Sequence, residues 1–154
     1  MAAACVALLV SAVALSPNAR GQVATDAIDG PALAKILTDL KMEPKNIAEE
    51  GEKPLFAFDI KTEKFNVPMV AEVSSSGRYI WLTCTLKEDA RTSDSMSILR
   101  AIGDIQPTHL WVTKSNRLKM GLSIDNRGVN ATVVKFVLDK LADDLEKTSS
   151  IWAR

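Results

Sequence analysis

Five stretches of alternating apolar and polar residues constrain the fold of this chain more than any other feature. In chain order, they span residues Phe56 to Ile60, Phe65 to Val73, Ile80 to Leu86, Leu110 to Val112 and Leu118 to Ile124. A period of two is typical of a strand that buries one face. Short turns join the first three stretches to one another and the fourth to the fifth, so neighbours should pair antiparallel. The pattern therefore predicts an antiparallel five-stranded sheet.

Three other segments repeat their apolar residues at helical spacing behind a capping side chain. They are Asp29 with Leu33, Ile36, Leu37 and Leu40; Asp94 with Ile98, Leu99 and Ile102; and Asn130 with Val134, Val137, Leu138, Leu141 and Leu145. Residues Met42 to Pro54 show no sustained period and are predicted to be a loop. Pro68 cannot donate to a ladder and should mark an edge strand or a bulge. The order α-β-β-β-α-β-β-α predicts an α+β domain with the helices packed on one face of the sheet.

The N-terminal segment differs from the rest of the chain. Val6 to Leu15 is an apolar run broken only by Ser11. A run of about ten residues is too short for a membrane-spanning helix, which needs about 20, but it suits the h-region of a secretory signal peptide. We therefore expect residues 1–24 to be a signal peptide, with cleavage after Ala14, Ala19 or Ala24, and residues 25–154 to be a single exported domain, periplasmic or secreted. The alternative is an apolar N-terminal helix within the core.

The charge of the processed chain argues against nucleic acid as a partner. The full sequence has 19 basic and 19 acidic residues, and residues 1–24 contain one of them, Arg20, which leaves 18 against 19 and a net charge of −1. Binding to a phosphate backbone requires a concentration of positive charge that a near-neutral domain lacks. We also expect no stable membrane insertion after processing.

Side chains that could carry catalysis are scarce. The chain has one histidine, His109, and two cysteines, of which Cys5 lies in the predicted signal peptide. Alternation puts Cys84 on the core face of its strand and His109 on the opposite face, so these two groups should not form a nucleophile–base pair. The adjacent carboxylates Asp143 and Asp144 should form part of a solvated helix face. We therefore predict no enzymatic activity, no cofactor and no metal site.

The order of elements resembles a known family of bacterial proteins. Three features carry the resemblance: the order of elements, the stretch from Phe65 to Leu86, and the final long helix followed by residues 147–152. They are similar to the YbjN-like family, which shares the fold of type III secretion chaperones. The similarity spans about Ile28 to Trp152. It implies a small α+β module that binds protein, often as a homodimer, in a regulatory or chaperone-like role and without catalytic residues.

Four ring-bearing residues fall on the strand face that should point away from the core: Tyr79, Trp81, His109 and Trp111. Exposed aromatic residues grouped on a polar face usually mark an interaction site, and tryptophan and tyrosine are favoured interface anchors. We predict that these four residues bind a protein partner or a second copy of the chain. Two alternatives stay open. The loop from Met42 to Pro54 could cover the rings, or the domain could be a small-ligand or lipid carrier with a core pocket of roughly 300 Å³ or more.

Overall fold

The computed structural model describes residues 26–153, and the predicted signal peptide lies outside them. The helices are α1 (Gly30–Asp39), α2 (Ser95–Asp104), α3 (Ala131–Lys147) and α4 (Ser149–Trp152). The strands are β1 (Lys45–Asn46), β2 (Leu55–Lys61), β3 (Asn66–Val73), β4 (Tyr79–Lys87), β5 (His109–Val112) and β6 (Leu118–Asp125). All strand pairs are antiparallel, in the order β1-β2-β3-β4-β6-β5. The α+β class and the predicted element order are confirmed, with one additional strand, β1, and one additional short helix, α4.

The additional strand, β1, lies inside the segment predicted to be a loop. Lys45 pairs with Ala57 and Asn46 with Phe56, which makes β1 the edge of the sheet beside β2. The Oδ1 atom of Asn46 also accepts hydrogen bonds from the main-chain N–H of Leu55, at 3.2 Å, and of Ala48. Two exposed residues have no alternating apolar pattern, so the sequence has no signal for this strand.

The predicted alternation of buried and exposed residues along the strands is confirmed except at Val112, the last residue of β5, which is 48% exposed. On β4, Ile80, Leu82 and Cys84 are buried, while Tyr79 and Trp81 are exposed. The buried side chains of all the longer strands meet those of the helices in one hydrophobic core. Its members include Leu33 and Leu37 of α1, Ile98 and Ala101 of α2, and Val134, Leu138, Leu141 and Leu145 of α3.

The three predicted helix caps are present. The Asp29 side chain accepts a hydrogen bond from the N–H of Ala32, Asp94 accepts from residues 96 and 97, and Asn130 accepts from residues 132 and 133. Each cap satisfies main-chain donors that the first turn of a helix leaves without a partner. The positions at which α1, α2 and α3 begin are therefore determined locally.

The predicted buried face of α2 is partly wrong. Ile98, Ala101 and Ile105 are buried, whereas the Leu99 side chain is 61% exposed and Ile102 is only partly buried. Ile98 and Leu99 are adjacent, so two overlapping helical stripes were compatible with the sequence. Packing of α2 against β5 selects the stripe that contains the small Ala101.

Pro68 does not make β3 an edge strand, because β2 and β4 lie on its two sides. Pro68 pairs with Asp59 of β2, and the pairing of β3 with β4 begins one residue later, at Met69. The main chain of Pro68 therefore has a strand on one side only. The constraint on the missing N–H is met locally, without moving the whole strand to the edge of the sheet.

The prediction that Asp143 and Asp144 are both solvated is wrong for Asp144, which is fully buried. Its carboxylate forms an ion pair with Lys140, one turn earlier on α3, and lies 3.9 Å from the Nζ atom of Lys147. The Nζ atom of Lys140 also donates to the main-chain oxygen of Ile105 at 3.0 Å. This lysine thus links α3 to the C-terminal end of α2.

The end of the chain packs back onto the sheet. The Trp152 ring of α4 lies 4.7 Å from the Phe65 ring, measured between centroids, and its indole N–H donates to the Oγ1 atom of Thr148. Phe65 itself precedes β3 and is partly buried. None of the helices within residues 26–153 is both long enough and apolar enough to cross a membrane.

Candidate functional site

The four ring-bearing residues predicted as a binding surface all project from the sheet face that carries no helix. Tyr79 and Trp81 lie on β4, and His109 and Trp111 lie on β5, with β6 between the two strands. We call this set, Tyr79, Trp81, His109 and Trp111, the ring face. Parity along the strands places it opposite the buried residues of β4 and β6.

Tyr79 and Trp81 form the more exposed half of the ring face. Their side chains are 45% and 38% exposed, and their ring centroids lie 6.5 Å apart with the planes tilted by 54°. That separation is within the range of a tilted aromatic pair. These two residues therefore form one apolar surface that is open to solvent within the described chain.

Trp111 lies closer to the sheet because Gly121 leaves room for it. A Cβ atom added at Gly121 would lie 3.1 Å from the Cη2 atom of Trp111 and 2.9 Å from the Cγ2 atom of Thr83. The indole therefore extends from β5 across β6 towards β4, where Gly121 pairs with Thr83. The ring of Trp111 is half-buried as a result.

Polar and oppositely charged side chains surround the rings. Thr83, Thr85 and Ser123 share the outer face near the centre, while Glu72 is paired with Trp81 across β3 and β4, and Lys119 is paired with Trp111 across β5 and β6. Near Tyr79, the guanidinium of Arg127 bonds to the carboxylate of Asp125. This bond holds the pKa of Asp125 below its usual range. The face therefore combines aromatic anchors with a mixed polar rim, as protein interfaces do.

The loop that was the alternative cover for the rings does not cover Tyr79 or Trp81. The segment from Met42 to Pro54 lies at the β2 edge of the sheet, through the pairing of β1 with β2, and β2 and β3 separate it from β4. Both rings keep more than a third of their surface exposed. The alternative in which this loop covers them is contradicted.

Cys84 and His109 lie on opposite faces of the sheet, as the alternation predicts. Cys84 is 3% exposed among core residues, whereas His109 is exposed on the ring face. Burial raises the pKa of the Cys84 thiol to about 12. A thiol that stays protonated is a poor nucleophile, so this cysteine packs as a small hydrophobic residue.

A second apolar region was not predicted from the sequence. The Phe136 side chain on α3 is 71% exposed and borders a groove of about 330 Å³ that runs to β6. In the sequence, Phe136 interrupts the polar side of α3 next to the buried Val137, so an exposed aromatic residue was the available signal. Met96, Leu99 and Val112 form a further set of exposed apolar side chains on α2 and β5.

Comparison with solved structures identifies the fold. A chain in the complex of HopA1 and SchA, a chaperone–effector complex, matches with a TM-score of 0.54 and 14% identity, covering 80% of this chain and 92% of that chain. The fold is that of the type III secretion chaperones. An uncharacterized protein from Methanothermobacter thermautotrophicus matches with a TM-score of 0.50 and 9% identity over 75% of this chain and 90% of that chain.

A further match is the Yersinia pestis type III secretion chaperone SycH in complex with a fragment of YscM2. Its TM-score is 0.49 at 14% identity, covering 79% of this chain and 97% of that chain. No protein-family model matches the sequence, and no curated protein matches it.

Proposed function

We propose that this protein is an exported, non-enzymatic protein-interaction module of the YbjN-like kind, with a chaperone-like or regulatory role in the periplasm or outside the cell. Its partner, a protein segment or a second copy of the chain, binds to the ring face. The observation that carries the proposal is the exposure of Tyr79 and Trp81 on a sheet face that no described element covers.

Two further observations support the proposal. The ring face contains the residue types that dominate binding energy at protein interfaces, where a few tryptophan and tyrosine side chains contribute most of the affinity. A solved chain with this fold, matched at a TM-score of 0.54, belongs to a chaperone–effector complex. Binding would bury the rings and remove the cost of exposing them to water.

Fluorescence quenching tests whether the ring face is used. The chain has three tryptophans, so Trp152→Phe leaves Trp81 and Trp111, both on the ring face, as the emitters. In the monomer, acrylamide should quench this emission efficiently. If a second copy is the partner, quenching should fall several-fold as concentration rises through the dimerisation range found by light scattering.

The matched pair of variants Trp81→Ser and Leu99→Ser separates the ring face from other exposed apolar surface. Both side chains are exposed, and they lie on different elements. Trp81→Ser should abolish self-association, or capture of a partner cross-linked in the native compartment, while Leu99→Ser should leave both intact. Equal loss with the two variants, or none with Trp81→Ser, would refute the use of this face.

Export has a separate test. We expect the protein isolated from its native compartment to begin after Ala14, Ala19 or Ala24 when its N-terminus is sequenced. A mature protein that still begins at Met1 would contradict export through this segment, while leaving the binding proposal to be decided by the ring-face variants.

A further inference from the structure

Part of one edge of β6 pairs with no strand of the described chain. β5 pairs with residues Leu118 to Gly121 of β6 and no further, so Leu122 to Asp125 have β4 on one side and no strand of the described chain on the other. The N–H of Asn126 donates to the main-chain oxygen of Arg78, on the β4 side. Because successive residues of a strand point their main-chain groups to opposite sides, those of Ser123 and Asp125 face the open edge.

An apolar groove runs along this open edge. Its apolar lining is Pro107, Leu122, Ile124, Val133, Phe136 and Val137, and its volume is about 330 Å³. The main chain of residues 122–125 forms one wall, and α3 forms the other. A peptide that added a strand to this edge would point every second side chain into the groove.

The two ends of the groove differ in charge. At the Asp125 end, the carboxylate is already bonded to Arg127. At the other end lies Lys140, whose side chain is 23% exposed and whose ammonium bonds to Asp144 and to the main-chain oxygen of Ile105. An ammonium has three donors, so one N–H of Lys140 is left for a ligand. Lys147 lies 3.9 Å from the other oxygen of the same carboxylate, so Lys140 shares Asp144 with a second cation.

The direction of an added strand follows from the position of β5. A strand that extends the line of β5 runs antiparallel to β6, from Asp125 towards Leu122. It then meets Pro107, which precedes β5 and has no N–H to donate. A bound segment must therefore end or turn away near Lys140, which places its C-terminal end beside an ammonium group.

We propose that this groove binds the C-terminal segment of a protein partner as an added β-strand. The segment has apolar side chains at alternate positions and a terminal carboxylate that pairs with Lys140. This site goes beyond the proposed function, since it lies on the opposite side of the sheet from the ring face and involves none of its residues.

Fluorescence anisotropy with a defined peptide tests the proposal. The probe is fluorescein-Ser-Val-Thr-Val-Leu with a free carboxylate, titrated with the whole protein, and its C-terminal amide is the matched ligand. The free acid should bind at least ten-fold more tightly than the amide. Methylation of alternate main-chain nitrogens, on the side that faces β6, should weaken binding by a similar factor.

Variants locate the site. Phe136→Glu places a charge at the groove on a side chain that is 71% exposed, and Val133→Lys provides a second change in the same wall. Each should weaken peptide binding at least ten-fold, while Leu99→Glu, a matched change on α2, should not. Trp81→Ser should also leave peptide binding intact, so a failure of the ring-face proposal is distinguishable from a failure of this one.

Three outcomes would overturn the inference. The first is that the peptide shows no saturable binding up to millimolar protein. The second is that the acid and the amide bind with equal affinity. The third is that Trp81→Ser abolishes peptide binding while Phe136→Glu does not. A further test uses dodecanoate. If dodecanoate binds at Phe136 and the peptide does not, the groove binds an aliphatic carboxylate, and the proposed protein partner is refuted.

Discussion

At the scale of single residues, the buried carboxylate of Asp144 makes the fold depend on its partner. A charge without contact to water is tolerated only when it is paired, and here the partner is Lys140. Lys140→Met would leave this charge uncompensated apart from Lys147 at 3.9 Å. We expect the free energy of unfolding to fall by about 3 kcal/mol in urea titrations.

The matched control is Lys135→Met, which breaks an ion pair of the same i,i+4 spacing with Asp139 on the exposed side of α3. Exposed helix pairs of this kind contribute about 0.3–0.5 kcal/mol, so this variant should be close to the parent in stability. Similar losses of stability in the two variants would show that burial of Asp144 does not raise the cost of losing its lysine partner.

A second expectation for a single residue concerns the thiol of Cys84. Its pKa is raised to about 12 by burial, so both access and ionisation oppose reaction at neutral pH. A bulky disulfide reagent should label the native processed protein slowly and the urea-unfolded protein at the rate of a free thiol. Rapid labelling under native conditions would contradict the assignment of Cys84 to the core.

At the scale of elements, the contact of β4, β5 and β6 depends on Gly121. An added methyl group would lie 2.7 Å from the main-chain oxygen of Leu82, so β4 and β6 would have to move apart. We expect Gly121→Ala to lower stability by about 1–3 kcal/mol and to increase acrylamide quenching of Trp111, whose ring rests above this glycine.

Gly103 provides the opposite case. A methyl group there would meet no atom within 4 Å beyond its chain neighbours and the backbone of its own helix, and the position is exposed on α2. Gly103→Ala should therefore raise stability by about 0.5–1 kcal/mol, because alanine restricts the unfolded chain and favours the helix. Loss of stability in both variants would show that the tight contact at Gly121 is not the cause.

At the scale of the whole molecule, acid should lower the free energy of unfolding. Hydrogen bonds from the Arg91 side chain lower the pKa of Asp89 to about 2, and the Ser97, Arg127 and Thr62 side chains lower the pKa values of Asp94, Asp125 and Glu146 respectively. A carboxyl whose pKa is lower in the folded state contributes stability above its unfolded pKa and loses it as pH falls through the folded value.

The free energy of unfolding should thus be steady from about pH 6 to pH 5 and decline from about pH 4 towards pH 2. Asp94→Asn should make this decline shallower, because asparagine keeps the helix cap but does not titrate in this range. A free energy that stays constant or rises between pH 4 and pH 2 would contradict the assignment of these four carboxyl groups.

The alternation along β4 and β6 was sufficient to predict which side chains are buried, because a strand has a period of two and one face must meet the helices. For the same reason, it placed Tyr79 and Trp81 on the outer face. The stripe on α2 was ambiguous, since Ile98 and Leu99 both fit a helical period and only contact with β5 distinguishes them. β1 was not predictable, since a pair of exposed residues forms a strand only where β2 offers an edge.

The sequence by itself determined the three capped helices, the five longer strands, their order and the inward face of β4 and β6, because these depend on neighbours within a few positions along the chain. Only the tertiary structure decided that Asp144 is buried, that Gly121 lies beneath Trp111, and that β5 leaves part of β6 open beside Phe136. Each of these depends on where two segments distant in sequence meet. Such a meeting is set by the packing of the whole core, which no local pattern encodes.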